Sequence, residues 1–129
     1  MIIYANLCNP ASSANGLEKR IRQRMPGMAE YLYDMNALER RLQDGLYDVD
    51  VMVVHVGGGS PISELLAYHG DLKGLNIILI VNGITSDEQI ARLLKLYPRY
   101  MTFDANDDTV LLMLENRVKS SRDRAVGAV

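Results

Sequence analysis

The stretch DVDVMVVHVGGGSP, residues 48–61, decides the fold. From Val49 to Val56 the segment is apolar at nearly every position, so both of its faces need cover. That is the pattern of a central strand in a parallel sheet with helices on either side. Its exit, Gly57-Gly58-Gly59-Ser60-Pro61, reads as a turn into a helix over residues 60–70. Ser60 is the candidate N-cap, Pro61 fits the first helical position and Gly70 fits the stop.

Working outward, LNIILIVN (75–82) is a second fully buried strand, and IIYANL (2–7) a third. MAEYLYD (28–34) and RYMTFD (99–104) are weaker strands. Between them lie helical patterns. Residues 14–25 carry Leu17, Ile21 and Met25 at spacing four and stop at Pro26-Gly27. Residues 35–45 place Leu38 and Leu42 inward and end on Gly45. Residues 86–97 have Ser86 as cap, Asp87 and Glu88 on the positive end of the helix dipole, and Pro98 as terminator. A fifth helix starts at a cap on Asn106 or Asp107. Five strand–helix repeats with short connections predict a single three-layer α/β/α domain over residues 1–119, with 120–129 as a flexible tail. Right-handed crossovers make the expected sheet five-stranded and parallel, in the flavodoxin-like order 2-1-3-4-5. Ligands of such folds bind beyond the carboxyl ends of the strands, so the loops that begin at Asn6, His55, Asn82 and Asp104 should converge.

Composition narrows the function. The chain has 129 residues, 48% of them hydrophobic and 23% charged, with a net charge of −2. That balance suits one globular domain and argues against general nucleic-acid affinity, which feeds on a basic surface. With no tryptophan and one phenylalanine, a base-stacking platform is not expected. The single cysteine, Cys8, makes no internal disulfide, which fits a reducing cytoplasm. MIIYANLCNP has no basic and long apolar segments of a signal peptide, and no apolar run is long enough to span a bilayer.

The converging loops carry little charge. A magnesium site needs hard oxygens, usually at least one or two carboxylates, yet only Asp104 supplies an acid there. No metal or cofactor is therefore expected. His55 is a candidate phosphoacceptor, base or ligand, but without a visible partner it reads first as a neutral histidine closing the sheet. His69, near the end of a helix, reads as a surface residue compatible with the dipole. Gly57–Ser60 ahead of a helix is a candidate anion site, though it is neither a complete G-x-G-x-x-G nor a P-loop. Cys8 opens the loop CNPASSANG, where a helix N-terminus can lower a thiol pKa. In this it is faintly similar to phosphotransferase-system IIB proteins and low-molecular-weight phosphatases, but C8-x5 leads to Ala14 where the phosphatases carry arginine. The basic run EKRIRQR (18–24) reads as a solvated helix face. Lys95, Tyr97, Arg99 and Tyr100 form a mixed aromatic and charged surface that suits a protein contact.

At the level of the whole pattern the chain resembles the receiver domain of two-component response regulators, across about residues 1–119. D50-V-M-V-V-H55 is similar to the family's third strand, an acid and four apolar residues ahead of the phosphoacceptor aspartate. LNIILIVNG resembles the fourth strand, Y100-M-T-F the fifth, and NALERRLQDGLYDVD the second helix and its exit. The resemblance implies that His55 stands at the phosphoacceptor position, Ala5 and Asn6 at the acidic metal pair, Asn82 at the hydroxyl, and Phe103 or Asp104 at the lysine. Tyr100 keeps the family's switch aromatic, and Gly57 can still offer a carbonyl. The expectation is a stand-alone pseudo-receiver: a non-enzymatic, phosphorylation-independent signalling module acting through protein contact, with no output domain. It binds neither nucleic acid nor membrane. Its expected surface is the fourth helix, fifth strand and fifth helix, around Arg92, Lys95, Tyr97, Arg99, Tyr100 and Leu112, where a twofold dimer would form. A small phosphocysteine-type enzyme using Cys8 and an anion or nucleotide sensor at Gly57–Ser60 are the alternatives.

Overall fold

The computed structural model describes residues 1–8, 15–58, 60–84, 86–104 and 108–127, with side chains left undescribed at 15 and 121–127. Five parallel strands form one sheet in the order β2-β1-β3-β4-β5. They are β1 (Ile2–Asn6), β2 (Ala29–Leu32), β3 (Val51–Gly57), β4 (Ile77–Asn82) and β5 (Tyr100–Thr102). The helices are α1 (Asn15–Arg24), α2 (Met35–Asp44), α3 (Ile62–Ala67), α4 (His69–Leu72), α5 (Asp87–Leu93) and α6 (Asp108–Gly127), with a 3-10 turn at Leu94–Leu96. This is the single flavodoxin-like α/β domain that the strand–helix alternation predicts.

Side chains alternate across the sheet, which splits the core in two. Ile3, Met52, Val54, Leu79 and Val81 pack with Leu38, Leu65, Leu72, Leu93 and Leu96, on the side of α2 to α5. Ile2, Tyr4, Val51, Val53, Ile78 and Ile80 pack with Leu17, Ile21, Val110, Leu111 and Leu114, under α1 and α6. Every residue of β1 and β3 is buried. Strands covered on both faces must read as unbroken apolar runs, which is why these two stood out in the sequence.

Local chemistry sets the boundaries. The Ser86 hydroxyl caps α5 by accepting from the Gln89 amide at 3.4 Å, as expected. Asp34 caps α2 in the same way, accepting from the Ala37 amide at 2.7 Å. Arg41 fastens the last turn of α2, donating to Glu30 on β2 at 2.7 Å and to both oxygens of Asp48 at 2.8 and 3.0 Å. Those hydrogen bonds hold the Asp48 carboxyl below the usual range.

Three expectations are corrected. The helix expected over 60–70 is two short helices broken at Tyr68, whose amide bonds back to Leu65. Gly70 lies inside the second of them, and the left-handed Gly74 (φ +91°) follows its end. Ser60 is not the N-cap: Pro61 occupies that position, and the Ser60 hydroxyl has taken other partners. The final helix carries its backbone through Gly127, past the 120 boundary read from the sequence. The candidate caps Asn106 and Asp107 lie outside the described residues. Among the described residues no helix is long and apolar enough to cross a membrane.

Candidate functional site

Parallel register brings the ends of β1, β3 and β4 side by side. Asn6 pairs with His55, and Gly57 with Asn82. The sequence predicts that the loops beginning at Asn6, His55, Asn82 and Asp104 converge; the register sets the first three on adjoining strands. Ala5 is buried one residue before the end of β1. Phe103 and Asp104 follow β5 and are both exposed.

His55 sits two residues beyond Val53 and so faces the α1 and α6 side. Its side chain is fully buried. The Tyr4 hydroxyl lies 3.0 Å from His55 Nδ1, and the two rings meet edge-on at 6.4 Å. Among the described residues Nε2 has no hydrogen-bond partner. Burial pushes the imidazole pKa down to about 4, because low dielectric disfavours the charged ring. Burial likewise raises the Tyr4 phenol, with Cys8 and Glu18 adding to it. The pair is neutral at pH 7. It anchors the sheet and offers no open nucleophile.

Ser60 joins two loops. Its hydroxyl accepts from the Gly57 amide and donates to the Leu7 carbonyl, both at 2.7 Å. The Ser60 amide turns back to the Gly57 carbonyl at 3.1 Å. Both of these amides, and the carbonyl that the receiver resemblance leaves to Gly57, are therefore engaged inside the turn. Of the other two glycines of the candidate anion site, Gly58 is exposed and Gly59 lies outside the described residues. Gly57 has a second constraint: a Cβ there would meet the Asn82 carbonyl at 3.2 Å and Cys8 Sγ at 3.5 Å. Ser60→Ala leaves the Gly57 N–H and Leu7 C=O without this partner. It is expected to cost about 2 kcal/mol in urea denaturation, the scale of losing buried hydrogen bonds.

Cys8 is 8% exposed, and its amide donates to Asn6 Oδ1 at 3.2 Å. Residues 9–14 of its loop lie outside the described residues. His69 is exposed, with Nδ1 3.0 Å from the Leu66 carbonyl at the end of the preceding helix. In the basic run, Arg20 pairs with Asp108, Arg24 with Glu115 and Arg22 with Glu18, while Arg22 also stacks 4.0 Å over the Tyr31 ring. It is a solvated helix face crossed by ion pairs. Among the described residues no group of three or more His, Cys, Asp or Glu side chains is placed to hold a metal ion.

The surface around β5 divides. Tyr97 is 79% exposed and Leu112 56%, and Lys95 also lies open. Arg92 donates to Ser63 on α3 at 2.7 Å, and Arg99 Nε to Asn76 at 2.9 Å. Tyr100 is half-buried against the α6 side of the core. Leu94, 46% exposed, is an apolar surface residue that sequence reasoning missed. Tyr97 closes the 3-10 turn in the left-handed region (φ 53°, ψ 57°), a conformation that costs a bulky side chain about 1 kcal/mol. The roles of Tyr4 and Ser60 were also missed. Their partners come from adjacent strands and loops, so only the register reveals them.

No protein-family model matches the chain, and no curated protein or solved structure does so either.

Proposed function

We propose that the chain is a phosphorylation-independent, receiver-like signalling or regulatory module of the cytoplasm. It works by protein contact rather than catalysis, as a homodimer joined across the β5 edge. The observation that carries this reading is the Tyr4–His55 pair. Aspartyl phosphorylation needs a carboxylate nucleophile within reach of a phosphodonor and a metal to offset charge on the transferring group. The position that the receiver resemblance assigns to the carboxylate holds a buried imidazole, bonded to Tyr4 and kept neutral by its surroundings. Ala5 and Asn6, at the positions of the acidic pair, add no charge.

Two features support the contact surface. Leu94, Tyr97 and Leu112 are large apolar side chains left open on the segments before and after β5, and exposed aromatic and aliphatic side chains of this kind suit an interface. Tyr97 is held in a costly backbone conformation with its ring outward, the sort of local strain that gathers at functional surfaces.

Light scattering across a concentration series, with and without acetyl phosphate and magnesium, tests the proposal. The expected result is a dimer of equal strength in both conditions, weakened by about tenfold or more in Leu112→Glu, since a charge placed in an apolar contact costs more than 1.4 kcal/mol. A chain that stays monomeric at high concentration overturns it. So does a phosphoryl adduct, read by intact mass, that strengthens association.

A further inference from the structure

At the other end of the sheet, beneath α6, a cavity of about 250 Å³ opens at the amino ends of β3, β4 and β5. Its floor is apolar: Val51, Ile78 and the half-buried Met113. Its rim is cationic and amide-bearing, with Arg99, Arg117 and Asn116. No carboxylate lines it among the described residues.

The Arg99 guanidinium is held in place by a short relay. The Asn76 amide donates to the Asp50 carbonyl at 3.2 Å, and Asn76 Oδ1 accepts from Arg99 Nε at 2.9 Å. That relay uses Nε and leaves the two terminal nitrogens of Arg99 without a partner among the described residues. Arg117, on α6, likewise makes no ion pair among the described residues. The Asp50 carboxylate, next to the floor, is paired with the Met1 ammonium at 2.6 Å. Two guanidinium groups thus share a concave rim with no acid among its described side chains, which sets this place apart from the α1 face, where three arginines pair with acids.

From this juxtaposition we infer that the cavity binds a small organic anion, an apolar body of about one ring carrying a carboxylate or phosphate. The charge fits the planar forks of Arg99 and Arg117, which grip either group through paired hydrogen bonds. The body fits the Val51, Ile78 and Met113 floor. Size agrees: at about 30 Å³ per water the space holds roughly eight waters, close to one substituted ring. Concave, largely apolar sites with a few convergent polar groups are where small ligands bind. The site lies at the opposite end of the strands from Asn6, His55 and Asn82.

Titration of the full chain by NMR with benzoate and phenyl phosphate tests the inference, with benzyl alcohol and inorganic phosphate as controls. Saturable shifts centred on β4 and α6 are expected for the two aromatic anions. Arg117→Gln should weaken binding about tenfold or more, because hydrogen bonds to charged groups are the strong ones. Arg117→Lys, which keeps the charge but loses the fork, should fall between. Arg40→Gln, an exposed change on α2 across the sheet, should change nothing, and thermal melting of each free variant checks the fold. Absence of saturable binding overturns the inference. So does binding unchanged in Arg117→Gln, an equal response to benzyl alcohol, or inorganic phosphate binding as tightly as the aromatic anions.

Discussion

His55→Asp, the change that writes the receiver aspartate into this chain, is expected to destabilise the fold by about 3–5 kcal/mol at pH 7. The position is fully buried and its polar neighbour is the Tyr4 hydroxyl. A carboxylate there is a buried charge with one hydrogen bond and, among the described residues, no counter-ion, the situation that carries such a cost. Set against a total stability of about 5–15 kcal/mol, the loss is a large share. Its pH dependence gives the sharper readout. Burial raises the folded carboxyl above its unfolded value of about 3.9. The variant is then most stable at or below that value and loses stability as pH rises toward its folded pKa. Urea denaturation at a series of pH values measures this directly. A variant as stable as the parent at pH 7 would show that position 55 tolerates charge, and the account of a closed pocket would fall with it.

The parent protein is expected to slope the other way. Its imidazole titrates near 4 in the fold and near 6.5 in the unfolded chain. Between these values the unfolded chain binds more protons, so stability is complete above about pH 6.5 and declines as pH falls toward 4. The full span is worth roughly 3 kcal/mol. His55→Phe keeps a ring edge-on to Tyr4 and removes the titration, so the difference between the two curves isolates this group. Asp48, held below its ordinary 3.8 by Arg41, contributes stability that is lost only as pH drops past that value. Parallel curves for the parent and His55→Phe between pH 6.5 and 4 would sink the prediction.

Much of the architecture was legible from burial pattern. Val51 to Val54 and Ile77 to Val81 are apolar throughout because both of their faces are covered, and Ser86 announced its helix by the chemistry of an N-cap. The strand order followed from alternation and crossover handedness. What escaped were partnerships made across the chain. Tyr4 meets His55 because β1 pairs with β3 in the register Asn6–His55, and register is not written in either strand alone. Ser60 looked like a cap because hydroxyls before helices usually are, but Gly57 N–H and Leu7 C=O lay within reach and claimed it. The break at Tyr68 had no punctuation in the sequence, since Gly70 suggested a stop two residues later. The convergence of Arg99 and Arg117 was equally invisible, since β5 and α6 meet only in the folded chain.

The outer strands of the sheet are brief. β2 spans four residues and β5 three, and β2 carries Glu30, fastened by Arg41. A foreign strand laid along either margin finds few backbone groups to pair with, and at β2 it meets fixed charges. Fibre growth by strand addition therefore has a poor template in this protein, even when the domain is crowded at high concentration.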